Sequence, residues 1–182
     1  MLLYGGIIVK EFLSVEGVVK SIEVMQTSVN DTSACTIMMS VRGRRDDDFN
    51  LVVSRDTYFV DHVNIRPGDP IIAFYDSLAP MPLIFPPQYR AIVIARKSKK
   101  ENVKVSHFNR RLVSRDDSLR LNISNRTQIL LENGQSFLGN IENRNLVVVY
   151  GMSTKSIPAI TTPSQIIVLC DKHRLSFYFK VL

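Results

Sequence analysis

The feature that most constrains the fold is an internal repeat, in which blocks from the first half of the chain return in the same order about 70 to 76 positions later. The stretch RDDDFNLVVSRDTYFV at 45–60 aligns with RDDSLRLNISNRTQIL at 115–130. Further on, PIIAFYD and AIVIA return as NLVVVYG and IIVLC, and two prolines five positions apart also recur. We therefore predict a tandem duplication, with unit one at 10–95 and unit two at 102–171.

The apolar runs are rich in Val and Ile, which favours strands over helices. In unit one, EGVVKSIEVM, ACTIMMSVRG and FNLVVS predict three strands, RDTYFVDHV a short helix or turn, and IIAFY and YRAIVIA two further strands. This order is typical of an OB-fold barrel. The predicted fold class is therefore all-β, with two tandem OB-like β-barrel units and a short helix or turn between strands three and four. The segment 172–182 predicts one added C-terminal strand.

Three stretches of unit one, VVSRDTYFVDH, GDPIIAFYD and PMPLIFPPQY, resemble the signature of a family of small proteins from clostridia and related Firmicutes. The resemblance covers most of the chain, and the PPQY block is its most specific part. It implies a bacterial protein with an OB-like β architecture. It implies no particular activity and no site residues.

The two halves of the chain carry opposite charge. Residues 1–95 hold 8 Lys and Arg against 11 Asp and Glu, a net of −3, whereas residues 96–182 hold 15 against 6, a net of +9. A face that tracks a phosphate backbone is one explanation of the basic excess. A solvated linker followed by a charged outer strand face is the explanation we favour, and docking of unit two onto unit one is a third. The candidate basic face consists of Lys104, Arg110, Arg111, Arg120 and Arg126.

The stretch PMPLIFPPQY at 80–89 combines four prolines with two aromatic residues and no charge. As the loop between strands four and five, it would offer a stiff binding loop with residues Pro82, Phe85, Pro87 and Tyr89. Phe85 and Tyr89 could then stack on bases or sugars. The alternative is a plug, in which Leu83, Ile84 and Phe85 cover an open barrel end. We favour the plug, because unit two keeps its prolines here but lacks the aromatic residues.

The sequence contains no recognisable catalytic or metal-binding pattern. Cys35 and Cys170 match no metal or redox spacing, so we predict two reduced, buried, small apolar residues. None of the three histidines stands at a metal-ligand spacing. The run DDD at 46–48 recurs in part beside Arg in unit two, which is typical of a hairpin turn. We expect a protein that is not an enzyme and uses no cofactor or metal.

These patterns together predict a binding protein. The sequence has no signal-peptide pattern and no transmembrane run, so we expect a cytoplasmic location and no membrane partner. The predicted function is protein interaction or self-assembly, with a protein or a second copy as partner. The alternative is single-stranded nucleic-acid binding through the basic face of unit two.

Overall fold

A computed structural model describes residues 10–26, 33–44 and 47–170. The described residues form thirteen strands and one 3-10 turn, which confirms the predicted all-β class. In chain order the strands are β1 Phe12–Val24, β2 Ile37–Gly43, β3 Asp48–Val53, β4 Tyr58–Phe59, β5 Pro70–Asp76, β6 Gln88–Arg90, β7 Val93–Arg96, β8 Asn102–Phe108, β9 Leu119–Leu121, β10 Gln128–Leu131, β11 Arg144–Tyr150, β12 Ala159–Thr161 and β13 Gln165–Leu169. The predicted strand at 172–182 lies outside the described residues.

The first seven strands form one sheet in the order β4-β7-β5-β1-β2-β3-β6, called the N-terminal sheet below. Strands β1, β2 and β3 form an antiparallel meander, and β5 pairs antiparallel with both β1 and β7. Only two residues separate β6 from β7. The Ala91 N–H donates to Val52 O at 3.0 Å, and the Ile92 N–H donates to Phe74 O at 2.8 Å. The continuous segment from β6 to β7 therefore pairs first with β3 and then with β5.

Two local predictions for this sheet, the hairpin and the short helix or turn, can be compared with the structure. Strands β2 and β3 are a hairpin in which Arg42 faces Asp48, as expected for the aspartate run, although 45–46 lie outside the described residues. Of the two forms predicted between strands three and four, a short helix or a turn, the structure has the turn, a 3-10 turn at Val60–His62. Asp61 has a positive φ of 56°, which a right-handed helix cannot continue through. No helix in the described part of the chain is long and apolar enough to cross a membrane.

The remaining strands, β8 to β13, are called the C-terminal strands. Strand β11 pairs antiparallel with β8 and β13, as β5 does with β1 and β7. Strand β10 pairs parallel with β13, and β9 with β12, as β4 does with β7 and β3 with β6. At the place that β2 has in the N-terminal sheet, Val113 and Ser114 form only isolated bridges, to Arg120 and Phe108. The same set of pairings thus occurs twice along the chain.

A threonine fixes the same crossing point in each half of the chain. The Thr57 hydroxyl, which lies between β3 and β4, donates to Ala91 O at 2.8 Å. The Thr127 hydroxyl, between β9 and β10, donates to Pro163 O at 2.9 Å. Each threonine Oγ1 also accepts the backbone N–H of the serine three positions before it. In each half of the chain, these bonds hold the bend between two consecutive strands close to the segment that pairs with both strands.

Buried apolar side chains form three clusters. One lies within the N-terminal sheet and includes Leu51 and Ile71, and one lies within the C-terminal strands and includes Phe108 and Leu146. The third, which we call the shared cluster, draws on both. Its buried members are Tyr58, Val60, Phe74, Val93, Ala95, Val105, Val147, Val149 and Ile167. The two halves of the chain are therefore packed together through an apolar interface, with only five residues, 97–101, linking β7 to β8.

Candidate functional site

The loop between β5 and β6, residues 77–87, is called the proline-rich loop and presents apolar side chains to solvent. Leu83 is 103% exposed, Phe85 90% and Ile84 50%. These side chains therefore do not cover a barrel end, and the plug interpretation is wrong. Pro82 is exposed on the same loop. Large apolar side chains at this density on a surface are typical of an interaction site.

Tyr89, the aromatic residue of the PPQY block, belongs to the packed interior rather than to the loop tip. Its ring centroid lies 4.5 Å from that of Tyr75 and 5.9 Å from that of Phe49. Burial is the main cause that raises the pKa of Tyr75, and the neighbouring Tyr89 raises it further. Pro87 is half-buried like Tyr89. Of the four predicted loop residues, only Pro82 and Phe85 are therefore exposed for a ligand.

A cavity of about 740 Å³ opens beneath the proline-rich loop, and we call it the cleft. This volume is in the usual range for ligand pockets. Its walls come from both halves of the chain. They consist of Lys10, Phe12, Met25, Val52, Ser54, Asp56, Tyr75, Asp76, Ala79, Pro80, Met81, Pro82, Gln88, Arg90, Ala91 and Ile92, together with Glu132, Asn145, Leu169 and Cys170. An apolar wall with charged groups of both signs suits a peptide better than a purely apolar ligand.

One wall of the cleft is a strand edge. Strand β6 pairs with β3 through bonds that include Asn50 N–H to Pro87 O at 2.8 Å and Ala91 N–H to Val52 O at 3.0 Å. Successive residues of a strand direct their backbone groups to opposite sides. Gln88 and Arg90 therefore direct their N–H and C=O groups away from β3. Both residues line the cleft.

The equivalent edge in the C-terminal strands is covered by the chain itself. The Thr154 N–H donates to Ile160 O at 2.9 Å, and the Ile160 N–H donates to Thr154 Oγ1 at 2.8 Å. Ser153 also forms a bridge with Thr161. Within the described residues the proline-rich loop makes no such bond to Gln88. Over the part of the chain that the structure describes, this edge of β6 is thus unpaired, whereas its counterpart in β12 is covered by a local loop.

Three arginines of the predicted basic face lie close together. Arg110 and Arg111 lie in the turn after β8, and that turn is joined to β9 by the bond from Leu121 N–H to Leu112 O at 2.9 Å. Arg120 lies on β9 itself. All three are exposed, and none forms an ion pair with a described residue. We call them the arginine face. Arg126 is exposed on the separate turn after β9.

Lys104 does not join these arginines. It forms an ion pair with Asp116, and its Nζ donates to Ser118 Oγ at 2.9 Å. Burial alone would raise the pKa of Asp116, but hydrogen bonds from Lys104, Ser114 and Ser118 hold it well below its usual range. The carboxylate of Asp116 therefore balances the charge of Lys104 within the same chain.

The cysteines and histidines offer no reactive cluster. Cys35 and Cys170 are both free and exposed, so the predicted burial is wrong. Cys35 precedes β2 and Cys170 follows β13, and neither lies within a packed strand. The His62 ring packs edge-on against Tyr58 with centroids 5.6 Å apart. Over the residues that the structure describes, no three His, Cys, Asp or Glu side chains gather as a metal site.

Neither the unpaired edge of β6 nor the contribution of the C-terminal strands to the cleft was predicted from the sequence. The sequence carried no signal for either feature, because the 14 residues between PIIAFYD and AIVIA equal the 14 between NLVVVYG and IIVLC. No protein-family model, no curated protein and no solved structure matches the chain.

Proposed function

We propose that the protein is a non-catalytic protein-interaction module, in which the cleft and the proline-rich loop hold an apolar segment of a partner. The observation that carries the proposal is the exposure of Leu83 and Phe85 at 103% and 90% on the loop whose residues Ala79 to Pro82 line a cavity of about 740 Å³. Burying a side chain of this size contributes about 1.5–3 kcal/mol. The prolines restrict the loop, so that less conformational entropy is lost when a partner binds.

We further propose that each half of the chain is an OB-like barrel and that the two arose by duplication. The supporting observation is the repeated set of pairings, from β3 with β6 to β9 with β12. The segment from β6 to β7 connects one end of the N-terminal sheet, β6, with β7, the strand next to the other end, which supports closure into a barrel. In such barrels the loop between strands four and five is a common ligand-binding element. The position of the cleft fits that architecture.

The test is a selection from a phage library of random twelve-residue peptides against the full-length chain. We expect selected peptides to lose at least about tenfold in affinity when Leu83→Ser and Phe85→Ser are combined, since buried apolar anchors dominate such interfaces. The matched control combines Leu138→Ser and Met152→Ser, because both residues are 94% exposed in the C-terminal half. Fluorescence anisotropy with labelled peptides measures the peptide affinity of the natural protein and of the two double variants.

Equal losses in the two double variants would contradict the proposal, as would a library that yields no specific peptide. Sedimentation of the same proteins without peptide tests for self-association. A mass above that of the monomer that only the Leu83 and Phe85 variant lowers would identify a second copy as the partner.

A second candidate function is binding of single-stranded nucleic acid at the arginine face. The observation in its favour is that Arg110, Arg111 and Arg120 are exposed, lie around β9 and have no acidic partner among the described residues. Guanidinium groups bind phosphate oxygens well. The net charge of +9 over 96–182 adds attraction at longer range.

For this second candidate we expect an affinity for labelled oligonucleotides that falls steeply with salt, since each neutralised phosphate releases counterions. Combining Arg110→Ala and Arg111→Ala should lower the affinity at least about tenfold at low salt. Combining Arg55→Ala and Arg66→Ala serves as the control, because both arginines are exposed in the N-terminal half. Anisotropy at two salt concentrations is the measurement, and no binding at low salt would exclude the function.

A further inference from the structure

We propose that the partner segment held at the cleft is an extended peptide, which pairs as an added strand with the second edge of β6 and places a carboxylate against Arg90. The inference rests on the proposed function and deepens it, because it gives the partner a backbone conformation and a charge. Strand addition at an unpaired sheet edge is a common mode of peptide recognition.

The first argument is the direction of the backbone groups of β6. On the side that faces β3, the Ala91 N–H donates to Val52 O at 3.0 Å. Successive residues of a strand direct their backbone groups to opposite sides, so those of Gln88 and Arg90 point away from β3. In the described part of the chain, β6 has no strand partner on that second side.

The second argument places this edge at the cleft. The N–H of Ile92, the residue after Ala91, donates to Phe74 O of β5 at 2.8 Å, on the side opposite β3. The pairing of β5 with β7 ends at Phe74. Beyond it, Tyr75 of β5 and Arg90 of β6 both line the cleft. The edge that continues from Ile92 into β6 therefore borders the cleft.

The third argument is charge. Arg90 and Lys10 both line the cleft, and neither forms an ion pair with a residue that the structure describes. The carboxylates of the cleft are already engaged, because Asp76 accepts two backbone N–H groups, and Asp56 and Glu132 have partners of their own. Arg90 is exposed and lies on the unpaired strand itself. A peptide carboxylate beside β6 therefore gains a charge-assisted hydrogen bond.

The C-terminal strands contain the same edge in a paired form. The pairings β3–β6 and β9–β12 are both parallel, and Ile160 of β12 has the place of Gln88 in β6. The Thr154 N–H donates to Ile160 O at 2.9 Å, and Ser153 forms an antiparallel bridge with Thr161. The edge of β12 thus carries a second backbone segment while it remains paired with β9. A peptide on β6 takes the corresponding place.

The pairing fixes the residue pattern of the peptide. In an extended strand every second side chain lies on the same face. The peptide side chain directly opposite Arg90 lies on the same face as the guanidinium, and this is the position of the carboxylate. Apolar residues of the peptide contact Leu83 and Phe85 of the proline-rich loop. The partner is therefore an extended apolar segment that contains an acidic residue.

The first test is hydrogen exchange measured by NMR on the full-length chain, with and without a peptide selected from the twelve-residue library. The amides of Gln88 and Arg90 should exchange at least about tenfold more slowly with the peptide bound. The Ala91 and Ile92 amides, bonded to β3 and β5, are protected in both samples and report that the protein is folded. Unchanged exchange of Gln88 and Arg90 would overturn the inference. So would protection of both amides before peptide is added, since the edge would then be paired already.

The second test replaces single backbone N–H groups of the selected peptide by N-methyl groups. An added strand bonds to β6 through every second residue. The loss of affinity should therefore alternate along the peptide, at least about tenfold at one position and less than about twofold at the next. Fluorescence anisotropy measures each peptide. A loss that does not alternate would contradict strand pairing.

The third test concerns the charge of Arg90. Arg90→Gln should lower the affinity for the selected peptide about two- to fivefold, and so should the change of the peptide carboxylate to an amide. The two changes together should cost no more than either one alone, because they remove the same contact. Arg126→Gln is the control, since Arg126 is exposed and does not line the cleft. Losses that add, or selected peptides without an acidic residue, would overturn the assigned charge.

The two proposals fail in different ways. If selected peptides depend on Leu83 and Phe85 but leave the exchange of Gln88 and Arg90 unchanged, the proposed function stands without strand addition. If the peptides protect the two amides, yet the Leu83 and Phe85 double variant loses no more affinity than its control, strand addition stands and the anchoring role of the proline-rich loop fails. A library that yields no specific peptide would overturn both.

Discussion

Changing Ile167 to Ala is expected to lower the free energy of unfolding by about 2–5 kcal/mol, the range for a fully buried aliphatic side chain. Ile167 on β13 has 0% exposure and belongs to the shared cluster. It pairs across the sheet with Leu130 and Val147 and packs in the cluster with residues of the N-terminal sheet such as Val93. The cavity left behind would therefore weaken both halves of the chain together, and a single domain of this size has only about 5–15 kcal/mol in total.

Urea unfolding followed by circular dichroism measures this loss. The matched control is Ile160→Ala, since Ile160 lies on the neighbouring β12 and is 39% exposed. The control should cost less than about 1 kcal/mol, because part of the side chain is already hydrated in the folded protein. A loss in Ile167→Ala no larger than in the control would contradict the packing of the two halves. A second unfolding step in Ile167→Ala would mean that the halves separate before either one unfolds.

Changing Gly17 to Ala is expected to destabilise the N-terminal sheet by at least about 1–3 kcal/mol, as for an overpacked core. Gly17 lies on β1 opposite Gly43 of β2. A Cβ built there would collide with the backbone oxygen of Arg42 and would lie 2.6 Å from Val41 Cγ1. A backbone oxygen within a sheet cannot rotate away as a side chain can. Strand β1 or β2 must therefore shift, and the ladder between them must weaken.

Thermal unfolding measures the effect as a fall in Tm of several degrees. Gly151→Ala is the control, since its Cβ would lie 3.6 Å from Lys100 O, an ordinary contact. The control should leave the Tm almost unchanged. An equal Tm for the two variants would show that β1 and β2 separate without cost, and the close pairing of Gly17 with Gly43 would then be wrong.

Much of the strand pattern could be predicted from residue types alone. The alternating and continuous apolar runs predicted β1, β2, β3 and β5, because a half-buried strand needs one apolar face and a buried strand needs two. The short element after β4 was predicted less well. Asp61 and His62 take positive φ values there, and nothing in RDTYFVDHV distinguishes such a turn from a short helix.

The candidate site was predicted only in part. The proline-rich loop was identified because four prolines among apolar residues are rare in any strand. The direction of its side chains was not, since Leu83 and Phe85 look the same in a sequence whether they cover a core or face solvent. Lys104 was grouped with the arginines because it is basic, and only its pairing with Asp116 removes it from that face.

The sequence by itself determined the all-β class and the strands β1, β2, β3 and β5, because these depend on the local period of apolar residues and on turn residues. Only the tertiary structure decided which groups meet at the cleft. Arg90 and Leu169 are distant in sequence, and they share a cavity because the shared cluster packs β13 against the N-terminal sheet. Among residues 10–26, 33–44 and 47–170 the second edge of β6 has no strand partner, and this too depends on packing across the whole chain rather than on any one segment.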